Sequence, residues 1–317
     1  MLWLVLLFLV GLPALSLFVL RIWVQQSVVI CSNNVSLKGK TVLVTGASAG
    51  IGEATALGLA KKGARVILGC RNVEKANAVK EYIQGVSGNK SVIVKHLDLA
   101  SLKSIRRCAE EIINEEERLD VLINNAGLMS PSEKTITEDG LELTFASNYF
   151  GHFLLTNLLL GLLKKSGPSR IISVSSKAHD MGSLNLKDIN FHQKNYHWGF
   201  QYGHTKLAIN LFVKELSNRL KGTDVTVNAV HPGTCGSEIF IKQGNLFFTI
   251  FQAIGPLWWR TSEEGAQSSL YLATSDEVKG VSGEYFVDSA KYKASRASYD
   301  ETKARRLWEL SEQLTGL

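Results

Sequence analysis

The chain has 317 residues, 45% hydrophobic and 20% charged, with a formal net charge of +6. That balance excludes a disordered chain, and with Lys and Arg scattered among acids there is no basic block of the kind that tracks nucleic acid. The four cysteines, Cys31, Cys70, Cys108 and Cys235, are far apart and lack metal-ligand spacing, which argues against a disulfide framework or a zinc site and suits a cytosol-facing domain.

Met1 to Leu20 carries no charge, and an apolar stretch resumes after Arg21 with Ile22, Trp23 and Val24. About 20 apolar residues cross the hydrocarbon as a helix, and Pro13 kinks such a helix without forbidding it. A cleaved signal peptide calls for a basic start and a small-residue cleavage site, neither of which is clear. A buried core helix would be apolar on one face only. The expectation is a retained single-pass anchor over 1–24, followed by a polar linker over 25–38. Arg21, Lys38 and Lys40 all follow the apolar run, so the positive-inside rule puts the main domain in the cytosol. Asn34-Val35-Ser36 and Asn89-Lys90-Ser91 are glycosylation triplets usable only in a lumenal domain; no glycan is expected.

Thr41 to Thr45 is a β-branched apolar run suited to a buried parallel strand. Gly46-Ala47-Ser48-Ala49-Gly50-Ile51-Gly52 follows, then a helical pattern from Glu53 to Lys62 stopped by Gly63, then a second strand from Arg65. This is one βαβ unit. Gly46 suits the tight turn, and Gly50 and Gly52 let backbone approach a pyrophosphate at the helix N-terminus, so Gly46, Ser48, Gly50, Ile51 and Gly52 are candidate cofactor contacts. An NAD enzyme usually carries an acid at the end of the second strand; here Gly69-Cys70-Arg71 offers none. The Arg71 fork suits a 2′-phosphate, so NADP(H) is the expected cofactor. A third strand, Val92 to Leu97, ends at Asp98, a candidate partner for the adenine amino group. A fourth, Val121 to Ile123, runs into Asn124-Asn125-Ala126-Gly127 at the sheet edge where ligands bind.

Tyr202-Gly-His-Thr-Lys206 opens a helical segment, and residues four apart share a helix face. A free phenol has a pKa near 10, and a nearby ammonium favours the phenolate; a downward shift of about three units needs roughly 4 kcal/mol. Lys206 and the oxidised nicotinamide are the expected sources. Arg170 to Ser176 reads as a central strand ending in hydroxyls, and Asn148 sits in a helical stretch. His179, His192, His197, His204 and His231 lack any HExxH or regular ligand pattern, so loop and surface roles are expected and no metal.

Taken in order, TGASAGIG, NNAG, Asn148, Ser175-Ser176 and YGHTK resemble the short-chain dehydrogenase/reductase family over residues 39–290. Gly69-Cys70-Arg71, Ser175-Ser176-Lys-Ala-His179, Phe200-Gln-Tyr202, Ser262-Glu-Glu-Gly-Ala-Gln, Ser282-Gly-Glu-Tyr-Phe and the uncharged N-terminus narrow this to its retinol dehydrogenase branch. The resemblance implies a Rossmann-type, doubly wound α/β domain with a parallel sheet of about seven strands. After it, 291–317 reads as a helical tail in which Tyr299 to Leu314 is an amphipathic, charged helix. It implies Tyr202 as general acid/base and Lys206 lowering its pKa while holding the nicotinamide ribose. Ser176 would hold the substrate oxygen, with Ser175 as the alternative, and Asn148 would position a water reaching Lys206. Asn125, Ala126, Gly127, Pro232 and Gly233 would line the cofactor. Two positions depart from the pattern: Ala49 replaces a basic or polar residue common in NADP enzymes, and Thr205 replaces a common Ser.

The region from Ile239 to Trp259 is rich in Phe and Trp. It reads as a lid over a lipid-like substrate, a helix on the membrane surface, or core. The implied reaction is the interconversion of an apolar alcohol and its aldehyde or ketone, of retinol/retinal type, at the endoplasmic reticulum membrane. A steroid or lipid-aldehyde carbonyl reductase is the alternative enzyme, and a non-catalytic membrane-anchored binding protein the alternative of another class. The partners expected are a hydrophobic small molecule and the membrane, with a homo-oligomer left open.

Overall fold

The computed structural model describes residues 28–190, 196–235 and 259–317, with isolated positions 11, 15, 16, 19 and 22 before them. Among the described residues no helix is long and apolar enough to cross a membrane. The expected anchor at 1–24 and the 239–258 part of the aromatic region fall almost wholly outside them.

Seven elements alternate from the start: β1 (Thr41–Thr45), α1 (Gly50–Lys61), β2 (Arg65–Cys70), α2 (Val73–Ser87), β3 (Val92–His96), α3 (Leu102–Glu115) and β4 (Val121–Asn124). The second half comprises α4 (Gly151–Ser166), β5 (Ser169–Val174), α5 (Trp198–Arg219), β6 (Val225–His231), α6 (Ser262–Thr274), β7 (Tyr285–Val287), β8 (Ala290–Lys291) and α7 (Glu301–Thr315). The sheet order is β3-β2-β1-β4-β5-β6-β7-β8, parallel from β3 to β7. The strand count is thus eight rather than seven, because a two-residue strand folds back antiparallel on β7. The turn residues between them, Asp288 and Ser289, both have positive φ, as a two-residue hairpin turn of right-handed twist requires.

The strands are apolar on both faces because helices cover both. Leu43, Leu122, Ile171 and Val227 point into one core with Phe153, Phe212 and Trp308, while Val42, Val44, Ile123 and Ile172 point into the other with Leu59 and Leu270. The Trp308 indole of α7 stacks on Phe212 of α5 at 5.8 Å and meets Phe153 of α4 edge-on at 4.9 Å, so the C-terminal helix is part of the core. The residues read as a linker are also tied down: the Cys31 N–H donates to Gln267 Oε1 at 3.0 Å and Asn33 Nδ2 to Thr274 Oγ1 at 2.8 Å, both on α6.

Chain order reverses direction across the sheet between β1 and β4, which opens a crevice at their carboxyl ends.

Candidate active site

Gly46 leaves β1 with φ +66°, and a Cβ there would stand 2.8 Å from Ala126 Cα. A Cβ on Gly52 would meet the Gly46 carbonyl oxygen and the Asn125 amide well inside contact distance. Only glycine lets the turn close this tightly against the β4 loop. Helix α1 then begins at Gly50 with no side-chain cap, as do α4 and α5, whereas Asn72, Ser101, Thr261 and Asp300 cap α2, α3, α6 and α7. The first-turn N–H groups of α1 are therefore available to an anion, and the positive helix end faces the same way. This cradle of open N–H groups and Cβ-free backbone fits a dinucleotide pyrophosphate. Arg71 is exposed one residue beyond β2, at the edge where a ribose would lie. Asp98 follows β3; its Oδ1 accepts from Ala100 N–H at 2.9 Å.

Asn125 and Ala126 serve the cradle from within. Both their N–H groups donate to Thr45 Oγ1, at 2.9 and 3.0 Å, and Asn125 Nδ2 donates to the Thr45 carbonyl at 2.9 Å. The Asn125 amide nitrogen is turned into the protein, leaving its Oδ1 as the side-chain atom open to a ligand.

The reacting wall comes from β5 and α5. Helix α5 starts at Trp198, so Tyr202 and Lys206 sit in its second and third turns rather than at its opening. The Ser176 hydroxyl is near enough to the Tyr202 phenol to lower its pKa, and it also accepts from Ala178 N–H at 3.1 Å. Ser175 Oγ instead donates to the Lys206 carbonyl at 3.3 Å, tying β5 to α5. Successive residues of extended chain point to opposite sides, so only Ser176 shares a face with the phenol. That separates two serines the sequence left as alternatives. Lys206 Nζ donates to the Val174 carbonyl at 2.8 Å and lies 5.2 Å from the Tyr202 ring centroid. Pro232 and Gly233 follow β6; Gly233, at φ +88°, packs against the Arg260 side chain, which is paired with Asp288.

Among the protein's own groups, burial outweighs every lowering influence on Tyr202: it pushes the phenol up to about 12, against the lowering effect of the Ser176 hydroxyl. Burial also depresses the Lys206 ammonium to about 7. In this state the phenol keeps its proton, the form that can donate to a carbonyl oxygen.

Asn148 also braces the site. It lies in a π turn, Ala146–Phe150, that precedes α4. Its Oδ1 accepts from Leu128 N–H at 2.8 Å, and its Nδ2 donates to the Leu128 carbonyl at 3.0 Å and to Thr205 Oγ1 at 3.1 Å. Both amide hydrogens are in use and hold the loop after β4, which leaves the second lone pair of Oδ1 as the side-chain site for a water. Thr205 does fill the position of the common Ser, donating to the Tyr202 carbonyl at 2.8 Å.

Three site residues escaped the sequence reading. Buried Glu142 accepts from Thr144 N–H, Thr144 Oγ1, Phe145 N–H and Gln201 Nε2, the last at 2.6 Å, and so joins the π turn to the residue before Tyr202. His152 is buried beneath Asn148. His179, expected on a loop surface, is buried; its Nδ1 donates to the Ser176 carbonyl at 2.6 Å while Nε2 accepts from Ser295 N–H. A Glu or His followed at short range by apolar residues carries no sequence signal of burial, so nothing short of the fold reveals these braces. Among the described residues no cluster of His, Cys, Asp and Glu could hold a metal.

The family model described as short chain dehydrogenase matches residues 40–245. The chain is 50% identical to human retinol dehydrogenase 13 over 90% of its own length and 88% of that protein's, and 48% identical to human retinol dehydrogenase 14, with 89% and 88% covered. Among solved structures it is similar to an uncharacterised protein from Mycobacterium paratuberculosis, with 34% identity, TM-score 0.72 and 89% and 95% of the two chains covered. The NADP complex of RhlG from Pseudomonas aeruginosa follows at 26% identity and TM-score 0.64, with 80% and 95% covered.

Proposed function

This chain belongs to the short-chain dehydrogenase/reductase family, in its retinol dehydrogenase-like branch, and we propose that it uses NADP(H) to reduce an apolar aldehyde of the retinal type. Its class, an oxidoreductase, follows from that membership. The observation that carries the finer reading is Lys206 Nζ, tethered to the Val174 carbonyl at 2.8 Å and 5.2 Å from the Tyr202 ring centroid, on the wall beside the glycine cradle.

The nicotinamide cofactor, when bound, supplies or accepts the hydride. The chain's own residues do the rest. Ser176 and Tyr202 converge where a substrate oxygen can accept from both hydroxyls, polarising the carbonyl. As charge grows on that oxygen, Tyr202 gives up its proton. Lys206, fixed through the Val174 carbonyl, stabilises the phenolate left behind. In the oxidative direction the same proton returns to Tyr202.

Arg71, with no acid at the end of β2, supports NADP(H) over NAD(H), as do the NADP complexes among the similar structures. The uncharged N-terminal run supports single-pass anchoring in the endoplasmic reticulum membrane with the domain in the cytosol. The ties of Cys31 and Asn33 to α6 would fix where that anchor leaves the domain.

The test is turnover of a panel of retinoids, steroids and straight-chain aldehydes by the purified protein with NADPH and with NADH. Retinal with NADPH is expected to give the highest kcat/KM. A steroid at the head of the ranking would move the substrate class, and equal efficiency with both cofactors would remove the assignment to Arg71.

A further inference from the structure

We propose that His152 is a positioning residue, carrying its single proton on Nδ1 and closing a hydrogen-bonded circuit that clamps the loop 125–128 beneath Lys206. The proposal rests on the reading of Tyr202 and Lys206 as the reacting pair only for its kinetic consequence; the circuit itself is geometric.

The tautomer follows from counting donors and acceptors. His152 Nδ1 lies 3.1 Å from the Asn148 main-chain carbonyl. A carbonyl oxygen only accepts, so Nδ1 carries a proton. His152 Nε2 lies 2.9 Å from Thr45 Oγ1. That hydroxyl oxygen already accepts from the N–H groups of Asn125 and Ala126, which takes both its lone pairs. Its one hydrogen has two places to go: Nε2 at 2.9 Å, or the Ile123 carbonyl at 3.4 Å. A protonated Nε2 would be a third donor into the same oxygen. Nε2 is therefore the acceptor and the ring is neutral. Burial agrees, pushing His152 down to about 4, and the nearby charged group, Lys206, acts in the same direction.

The chain closes on itself. Thr45 holds the start of the loop by the N–H groups of Asn125 and Ala126. Asn148 holds its end through both the N–H and the carbonyl of Leu128. His152 joins the two clamps, Thr45 on β1 and Asn148 in the π turn. Between them lies Gly127, where a Cβ would come 3.4 Å from Asn148 Oδ1 and 3.8 Å from Lys206 Nζ. The loop is thus the surface against which the ammonium rests. His152 is out of reach of substrate, wedged between its two partners, and acts only through them.

Two observables test this. In ¹⁵N-histidine NMR of the free wild-type protein at neutral pH, His152 is expected as the Nδ1–H tautomer; an Nε2–H or doubly protonated ring overturns the proposal whatever the activity. The second is a double-mutant cycle on cofactor affinity and kcat with Thr45→Val and His152→Leu. Each single change is expected to lower kcat at least tenfold, and the double to be no worse than the poorer single. Thr45→Ser, which keeps the hydroxyl, is expected to stay within threefold of wild type. Additive losses would show that the two residues act separately and would sink the circuit. If His152→Leu fails to fold, the tautomer measurement and the Thr45 pair decide alone. Retention of the Nδ1–H tautomer with an inactive wild-type protein would leave the circuit standing and remove the enzymatic reading instead.

Discussion

Lys206 lies over the ring of Tyr202, its Nζ 5.2 Å from the ring centroid and tethered to the Val174 carbonyl at 2.8 Å. The amine is thus held by β5 at a fixed place beside the phenol. Both groups are buried, so their charged forms are disfavoured in opposite senses: the phenol rises and the ammonium falls. The pair rests as neutral phenol beside a readily lost ammonium proton.

Removing the hydroxyl alone tests the role of Tyr202. Tyr202→Phe is expected to lower kcat about 10²–10⁴-fold while leaving NADPH affinity within a few-fold, because the ring and its packing persist. Steady-state kinetics with fluorescence titration of NADPH checks both. An unchanged kcat would return the protein to the binding-module class.

The two serines should separate cleanly. Ser176→Ala removes the hydroxyl facing Tyr202 and is expected to lower kcat about 10²–10³-fold. Ser175→Ala removes one bond to the Lys206 carbonyl, worth about 1 kcal/mol, and should show mainly in the melting midpoint. The reverse ranking would reassign the substrate contact.

Arg71→Ala is expected to weaken NADPH binding roughly 10–100-fold, the worth of about 1.5–3 kcal/mol for a charge-assisted bond, and NADH binding far less. The ratio of the two dissociation constants is the readout. Equal losses would mean that Arg71 contacts something common to both cofactors.

Stability should depend on pH through the buried groups. Lys206 falls from 10.5 to about 7 on folding, so between those values the unfolded chain holds a proton the folded one lacks, and stability rises with pH. His152 and His231 fall from 6.5 to about 4, so their contribution is complete above pH 6.5 and is lost as pH drops toward 4. Tyr202 works the other way above pH 10. Urea midpoints should therefore climb from pH 4 to 6.5 and again from pH 7 toward 9, above which buried Cys108 and Cys235, raised from 9.0 to about 12, work the other way. Lys206→Met should flatten the second climb, and its persistence in that variant would assign it elsewhere.

Glu142→Gln is expected to destabilise the fold by roughly 2–4 kcal/mol. The carboxylate accepts four hydrogen bonds in a buried site, and the amide would present donors to donors. Thermal unfolding without ligand measures this. A midpoint within 2 °C of wild type would show that the site repacks.

Local features were legible in the sequence where residue type and neighbours suffice. The β1 run, the glycine turn and α1 state their order along the chain, and Tyr202 and Lys206 share a helix face because four residues nearly complete a turn. The acid missing after β2 needed no coordinates either. The tertiary structure decided everything that depends on which groups come to share an interior. It separated Ser176 from Ser175, turned the Asn148 side chain onto Leu128, and buried His152, His179 and Glu142 behind the reacting wall. It also set how deeply Tyr202 is buried, since a neighbouring charge can be read from spacing, whereas the loss of water around a phenol is set only by how the packed sheet and helices close over it.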